Sequence, residues 1–139
     1  MTDPKHRILS SFERQGLMAT FGARLVSVAD GEVQIELPFT ATLSQQHGYL
    51  HAGAVSSVLD IACGYAALTR APSDHEVVTA EFKINFLRPA IGDRFLAVGK
   101  VQNAGRQLTV CTGEIHAFTG TAGKLIAIMQ ATVVNVRSG

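Results

Sequence analysis

The chain has 139 residues, 47% of them hydrophobic, with 12 basic against 11 acidic side chains and a formal net charge of +1. That length suits a single domain over residues 1–139 with its own core and leaves no room for a second. Near-neutral charge argues against general nucleic-acid binding, and no apolar run approaches the ~18 residues of a membrane span.

In chain order, Met1-Thr2-Asp3-Pro4-Lys5-His6-Arg7 lacks the apolar stretch of a secretory leader. Cys63 and Cys111, the only cysteines, both sit inside apolar patterns and read as buried free thiols. Together these point to a cytoplasmic chain. Ile8, Leu9 and Phe12 share one face of a short amphipathic helix, which Gly16 is placed to end. Ala23 to Ala29 is strand-like, and Asp30-Gly31 is a hairpin signal. Val33, Ile35 and Leu37 then alternate with Glu32, Gln34 and Glu36 until Pro38 stops the strand. Thr40 to Gln46 is a polar loop.

The loop leads through His47, Gly48 and His51 into the stretch around which the chain is organised. From about Gly53 to Thr69 it predicts one helix, roughly 24 Å long at 1.5 Å per residue. Val55, Val58, Leu59, Ile61, Ala62, Tyr65, Ala66 and Leu68 surround its axis, as in a buried helix, with Tyr65 and Cys63 in the core. Asp60 is the only charge between His51 and Arg70. A carboxylate in such a place must be paired, protonated or set against a ligand cavity. Ser56, Ser57 or the backbone of a packed segment are candidate structural partners for it. His47 and His51 share no helical face and have no Glu between them, so no metal site is expected.

Everything downstream reads as β. Val78, Ala80, Phe82, Ile84 and Phe86 alternate with Thr79, Glu81, Lys83 and Asn85, which assigns the first set to the helix and the second to the outside. Arg88 to Asp93 breaks that strand. Further strands follow from Phe95 to Gln102, Gln107 to Phe118 and about Lys124 to Val136, with turns at Asn103-Ala104-Gly105 and Thr119 to Gly123. Six strands with hairpin-length connections and one inserted helix make an α+β fold, an antiparallel sheet wrapped around a long central helix. Such a sheet keeps two open edges. Pairing the strand after the helix with its own symmetry mate would close one and make a homodimer. From Lys83 to Arg106 five bases (Lys83, Arg88, Arg94, Lys100, Arg106) face one acid, Asp93, a local charge of 5 − 1 = +4 that suits anionic phosphates.

A helix opened by His51-Ala52-Gly53, with Asp60 nine residues (60 − 51) after His51 and Phe86-Leu87-Arg88-Pro89-Ala90 downstream, resembles the PaaI-type hotdog-fold acyl-CoA thioesterases. The resemblance implies a hotdog fold that hydrolyses the thioester of a small, medium-chain or aryl acyl-CoA. It implies Asp60 as the catalytic carboxylate and the Ala52 amide as the oxyanion donor, with His51 positioning the turn and Gly53 letting substrate approach. A helix N-terminus suits that chemistry in its own right, because its free N–H groups and partial positive charge stabilise a developing oxyanion. The family's Asn six residues (51 − 45) before the motif His is replaced by Gln45, a longer amide able to bind the same group. Thr79 falls near the reaction centre and Phe86 along the pantetheine arm, while Asn103, Ala104, Gly105 and Arg106 fall where the coenzyme is contacted. Coenzyme A would be part of the substrate and no other cofactor is implied. The active site would be shared across a homodimer, with two dimers forming a tetramer. Two other functions on the same fold stand beside this one. A non-catalytic acyl-CoA sensor would use Asp60 structurally, and a dehydratase would need an acid later in the helix, where Gly64 and Tyr65 stand.

Overall fold

The computed structural model describes residues 3–138; Met1, Thr2 and Gly139, and with them the start of the leader reading, lie outside that range. Helix α1 (Pro4–Glu13) begins with proline and is capped by Asp3, whose carboxylate accepts the Lys5 N–H at 3.2 Å. Gly16 does not stop this helix. The chain turns at Arg14 and Gln15, and Gly16 opens a second short helix, α2 (Gly16–Phe21), that buries Met18. The stop is Gly22, whose φ of 71° is the left-handed cap that glycine adopts without strain.

The hairpin of β1 (Arg24–Ala29) and β2 (Glu32–Pro38) turns on Gly31 and leads through a 3-10 turn (Ala41–Leu43) to α3 (Ala52–Leu68). Four long strands follow: β3 (His75–Phe86), β4 (Arg94–Ala104), β5 (Leu108–Thr119) and β6 (Ala122–Arg137). All six strands form one antiparallel sheet in the order β1-β2-β4-β5-β6-β3. Strand β3 therefore does not follow β2. Helix α3 crosses one face of the sheet and carries the chain to the far edge, so β2 pairs with β4 and β3 lies outermost beside β6.

Sheet and helix meet on buried side chains of β2 (Val33, Ile35, Leu37), β4 (Phe95, Ala97), β5 (Cys111, Ile115) and α3 (Val55, Val58, Leu59, Ala62). Two glycines set how close they come. Gly99 and Gly113 are cross-strand partners, and an added Cβ would lie 2.4 Å from the Ala62 carbonyl at the first and 2.8 Å from Leu59 Cδ1 at the second. The helix therefore rests on bare backbone at this point. At its far end Arg7 of α1 donates to the carbonyls of Ala71 (3.0 Å), Pro72 (3.1 Å) and His75, tying the N-terminal helix over the C-terminus of α3.

Three further expectations change. The alternation in β3 is broken by a bulge between Thr79 and Glu81, which leaves Ala80 unpaired. Before the bulge Val77 and Thr79 face the helix and Val78 is exposed; after it Phe82, Ile84 and Phe86 face the helix, opposite the buried Ala131, Met129 and Ala127. Thr79 is thus an inner residue, because one extra residue reverses the side to which every later side chain points. Asn103 and Ala104 are not in a turn but continue β4 past a register shift at Gln102, and the reversal falls on Gly105, Arg106 and Gln107. Finally, α3 is not buried all round. Ser56, Ser57, Asp60, Ile61 and Gly64 form a half-buried stripe. Beside it Phe82 and Phe86 are 43% and 49% exposed, since the helix is too narrow to cover the edge strand. No helix among the described residues is long and apolar enough to cross a membrane.

Candidate active site

Two cavities open along that stripe, one at each end of α3. The first is formed where the polar loop meets the helix start, and is lined by Gln45, Tyr49, Leu50, His51, Ala52 and Phe86 together with Arg88 and Pro89. His51 is the N-cap of α3: its Nδ1 accepts the Gly53 N–H at 2.8 Å, which places the ring hydrogen on Nε2 in the neutral form. Its own N–H donates to the Leu43 carbonyl at 2.8 Å, fixing the cap against the 3-10 turn. A Cβ at Gly53 would press to 3.1 Å from that ring nitrogen and crowd the cap. Its amide is consumed by the cap. The Ala52 N–H is left with no acceptor among the described residues, and it is exposed to the cavity.

Gln45 is held beside it. The Gln45 side-chain carbonyl accepts the N–H groups of His47 (2.5 Å) and Tyr49 (3.3 Å), and its main-chain N–H donates to Tyr49 O at 2.8 Å. The loop therefore orients the amide by its oxygen, and Nε2 has no acceptor among the described residues. Ala52 N–H and Gln45 Nε2 are two donors on one cavity, the arrangement that a carbonyl oxygen gaining negative charge requires.

The second cavity holds Asp60 and Thr79, with Ile61, Gly64, Tyr65, Leu68 and Val77. Ser56 and Ser57 do not serve Asp60. Their hydroxyls bond back to the Ala52 and Gly53 carbonyls at 2.8 Å each, the usual local alternative for a helical serine. Asp60 instead accepts the Thr79 hydroxyl on Oδ1 at 2.8 Å, while Oδ2 has no partner among the described residues. Burial pushes the Asp60 carboxyl above the ordinary carboxylate range, and the Thr79 bond opposes that rise. A half-buried carboxylate with one oxygen anchored and one free can act as base or nucleophile. The cysteines cannot: burial raises both thiols, Cys111 to about 11 and Cys63 further.

The remaining residues expected at the site are placed less closely. Asn103, Ala104, Gly105 and Arg106 are exposed at the end of the sheet that carries Val134 and Val78, nearer Thr79 than Gln45. Asn135 secures that reversal through the Arg106 and Gln107 carbonyls, at 3.2 and 2.9 Å, leaving the Arg106 guanidinium outside. The five bases do not form one patch. Arg94 pairs with Glu36 (3.7 Å) over the Phe118 ring and Lys100 with Glu32 (3.6 Å), both on the outer face. Arg88 borders the first cavity, with Nη1 on the Leu125 carbonyl at 2.7 Å. Tyr65 is a core residue as expected, yet its hydroxyl meets Ser11 and Gln15 at the second cavity (3.1 and 2.9 Å), contacts no periodicity could reveal.

The fold and both cavities can now be set against known proteins. The family description "Thioesterase superfamily" matches residues 47–124, more than half of the chain and all of both the helix and β3. A thioesterase family protein of Silicibacter pomeroyi superposes with a TM-score of 0.96 at 44% identity, covering 98% of this chain and 100% of that one. A Saccharolobus solfataricus protein named as an esterase is 34% identical over 126 residues, 90% of this chain and 87% of its own. A medium/long-chain acyl-CoA thioesterase of Escherichia coli is 29% identical over 80 residues, 48% of this chain and 52% of its own. The wrapped central helix is that of the hotdog fold, and the chain belongs to the thioesterase superfamily as a thioester hydrolase.

Proposed function

We propose that the protein hydrolyses acyl-CoA thioesters in a site assembled from two copies of the chain. The observation that carries this reading is the separation of complementary groups along one helix. Ala52 N–H and Asp60 are eight residues (60 − 52) apart, or about 12 Å along the axis, too far to act on one ester within one chain. Each lines its own cavity. The exposed edge of β3, with Phe82 and Phe86 beside it, supplies the surface on which a second copy would bring one cavity over the other.

In such a dimer the thioester carbonyl lies against Ala52 N–H and Gln45 Nε2 of one copy. Asp60 of the other copy faces the carbonyl carbon. As general base it takes a proton from water as the water oxygen bonds to that carbon; the tetrahedral intermediate then expels coenzyme A as a thiolate, which regains the proton. As nucleophile it would itself bond to the carbon and expel coenzyme A as a thiolate to leave an anhydride, which water would cleave to the free acid and Asp60, its released proton going to the thiolate. Solvent oxygen found in the Asp60 side chain after a single turnover in heavy-oxygen water would identify the anhydride route with water attacking the aspartyl carbon, and trapping of an acylated Asp60 by hydroxylamine would identify it whichever carbon water attacks. The likeness to the E. coli acyl-CoA thioesterase and the exposed Arg106, whose guanidinium has no partner among the described residues, support coenzyme A as the leaving group. A dimer of such dimers, and a cytoplasmic location, are part of the same proposal.

The test is complementation. A dimer of Asp60→Asn chains and a dimer of Ala52→Trp chains should each be inactive on acyl-CoA when free thiol is followed. Random mixing should restore about a quarter of the wild-type rate, because half the dimers then hold one intact site of two. No recovery after verified subunit exchange, or full activity in a sedimenting monomer, would refute the shared site.

A further inference from the structure

The stripe below Asp60 contains a glycine for which packing gives no reason. Gly64 lies four residues (64 − 60) beyond Asp60, inside a 17-residue helix where glycine is a poorer helix former than alanine. At Gly99 and Gly113 the missing side chain makes room for α3. At Gly64 an added Cβ would meet nothing within 4 Å. What occupies that place is the cavity of Asp60 and Thr79, which runs past Gly64 to Ile61, Tyr65 and Leu68. The far end is firm. Tyr65 is 6% exposed, and its hydroxyl is braced by Gln15 Nε2 at 2.9 Å and Ser11 Oγ at 3.1 Å.

Resting on the acyl-CoA reading above, we infer that Gly64 is a specificity-determining residue. It keeps open the channel along which the acyl chain runs from the thioester at Asp60 towards Tyr65. Ile61, Leu68 and Val77 line one part of that channel with surface suited to hydrocarbon, while the polar lining residues are engaged elsewhere, Glu76 by Arg7 at 3.6 Å and Ser11 and Gln15 by the Tyr65 hydroxyl. Gly64 stands about 6 Å from Asp60 along the axis and Leu68 about 12 Å, so the channel holds a medium-length chain of extended carbon–carbon bonds. A side chain at position 64 would close it halfway and leave room only for a short acyl group. The helix would gain from the same change, because its φ allows alanine and alanine orders the helix at lower entropic cost. Stability and long-chain turnover should therefore move in opposite directions.

The experiment uses Gly64→Ala and Gly64→Leu, both good helix formers, with butanoyl-, octanoyl- and dodecanoyl-CoA. Melting temperature and sedimentation are recorded for each. Gly64→Ala should melt roughly 3 °C higher than wild type. Gly64→Leu should retain butanoyl-CoA turnover within about twofold and lose about tenfold or more in kcat/KM on the two longer substrates, with Gly64→Ala between. An equal fall on all three substrates, an unchanged profile in Gly64→Leu, or a lower melting point or dissociated dimer in Gly64→Ala would overturn the inference. The last result would mean that a second copy already fills the space. A wild type that hydrolyses none of the three fails the acyl-CoA reading and this inference with it; an active wild type with a flat profile across the variants fails the inference alone.

Discussion

Thr79→Val removes one hydroxyl and keeps the side-chain volume, so it isolates the bond that holds Asp60. That bond is 2.8 Å long and donates to the charged form of the carboxyl. A hydrogen bond to an ionised group contributes about 1.5–3 kcal/mol when dry. Asp60 is only half-buried, and water can replace part of the loss, so about 1 kcal/mol is the better figure. The sign follows from which form loses support. Without the hydroxyl the carboxylate is disfavoured, and a carboxyl already raised by burial rises further. A reaction that needs the ionised Asp60 must then have the acidic limb of its kcat/KM profile displaced to higher pH. On that limb the variant should be slower by about fivefold, the equivalent of 1 kcal/mol, and the two profiles should converge at alkaline pH. The assay follows loss of thioester absorbance with one acyl-CoA from pH 4 to pH 9, with circular dichroism to show that β3 is intact. An acidic limb that stays in place, or moves to lower pH, would refute the assignment of Thr79 to Asp60 and of Asp60 to the proton-transfer step.

Asp60→Asn should lower turnover by about 10²–10⁴-fold, the usual contribution of a positioned base or nucleophile. Because the folded state raises this carboxyl, wild type loses stability as pH climbs from the ordinary carboxylate value through the folded one; Asn does not titrate, so the variant should be the more stable protein at neutral pH and lose that advantage in acid, as denaturant midpoints at several pH values would show. Arg106→Ala should raise KM for acyl-CoA about fivefold with little change in kcat, an effect that shrinks in high salt, since a phosphate contact supports ground and transition states alike. Gly99→Ala should destabilise by about 3 kcal/mol, and by thermal melting lower the midpoint by roughly 10 °C, because the new methyl would strike the Ala62 backbone, which cannot swing away like a side chain.

The helix and most strands were legible in the sequence because their signals are local. His51-Ala52-Gly53 opens α3 within a residue of expectation, and strict alternation in Val33, Ile35 and Leu37 gives β2 its inner face. What escaped was set by contacts between distant segments. The bulge at Ala80 leaves no mark in a run that alternates without a break, yet it moves Thr79 from the outer face to the carboxylate it serves. Gly99 and Gly113 sit 14 residues (113 − 99) apart and become meaningful only as cross-strand partners beneath one helix. The order of the sheet is likewise invisible to any count of hairpins, because it depends on which edge α3 delivers the chain to. Gly16 shows the converse: a plausible stop in sequence, it opens the second helix instead, and the positive φ of a glycine cap is found at Gly22, which ends that second helix.

The places where this chain departs from ordinary folding logic lie on one side of the molecule. Ala52 N–H has no acceptor among the described residues, burial pushes the Asp60 carboxyl above the ordinary carboxylate range, and Gly64 weakens a helix without making room for a neighbour among them. Phe82 and Phe86 stand half-exposed beside them on an unpaired edge. The half-buried carboxylate, the helical glycine and the exposed phenylalanines each oppose stability, whereas on the opposite side of α3 Val55, Val58, Leu59 and Ala62 are buried against the sheet. Sequences that specify a fold tend to break local rules where function requires it. Here an unsatisfied donor, a raised carboxylate, an open channel and an uncovered apolar edge are complementary needs. On the proposed function an ester carbonyl would satisfy the donor, a water or carbonyl carbon would engage the carboxylate, an acyl chain would fill the channel, and a second copy of the chain would cover the edge. Because donor and carboxylate lie about 12 Å apart on one helix, only the last of these would bring the first two together.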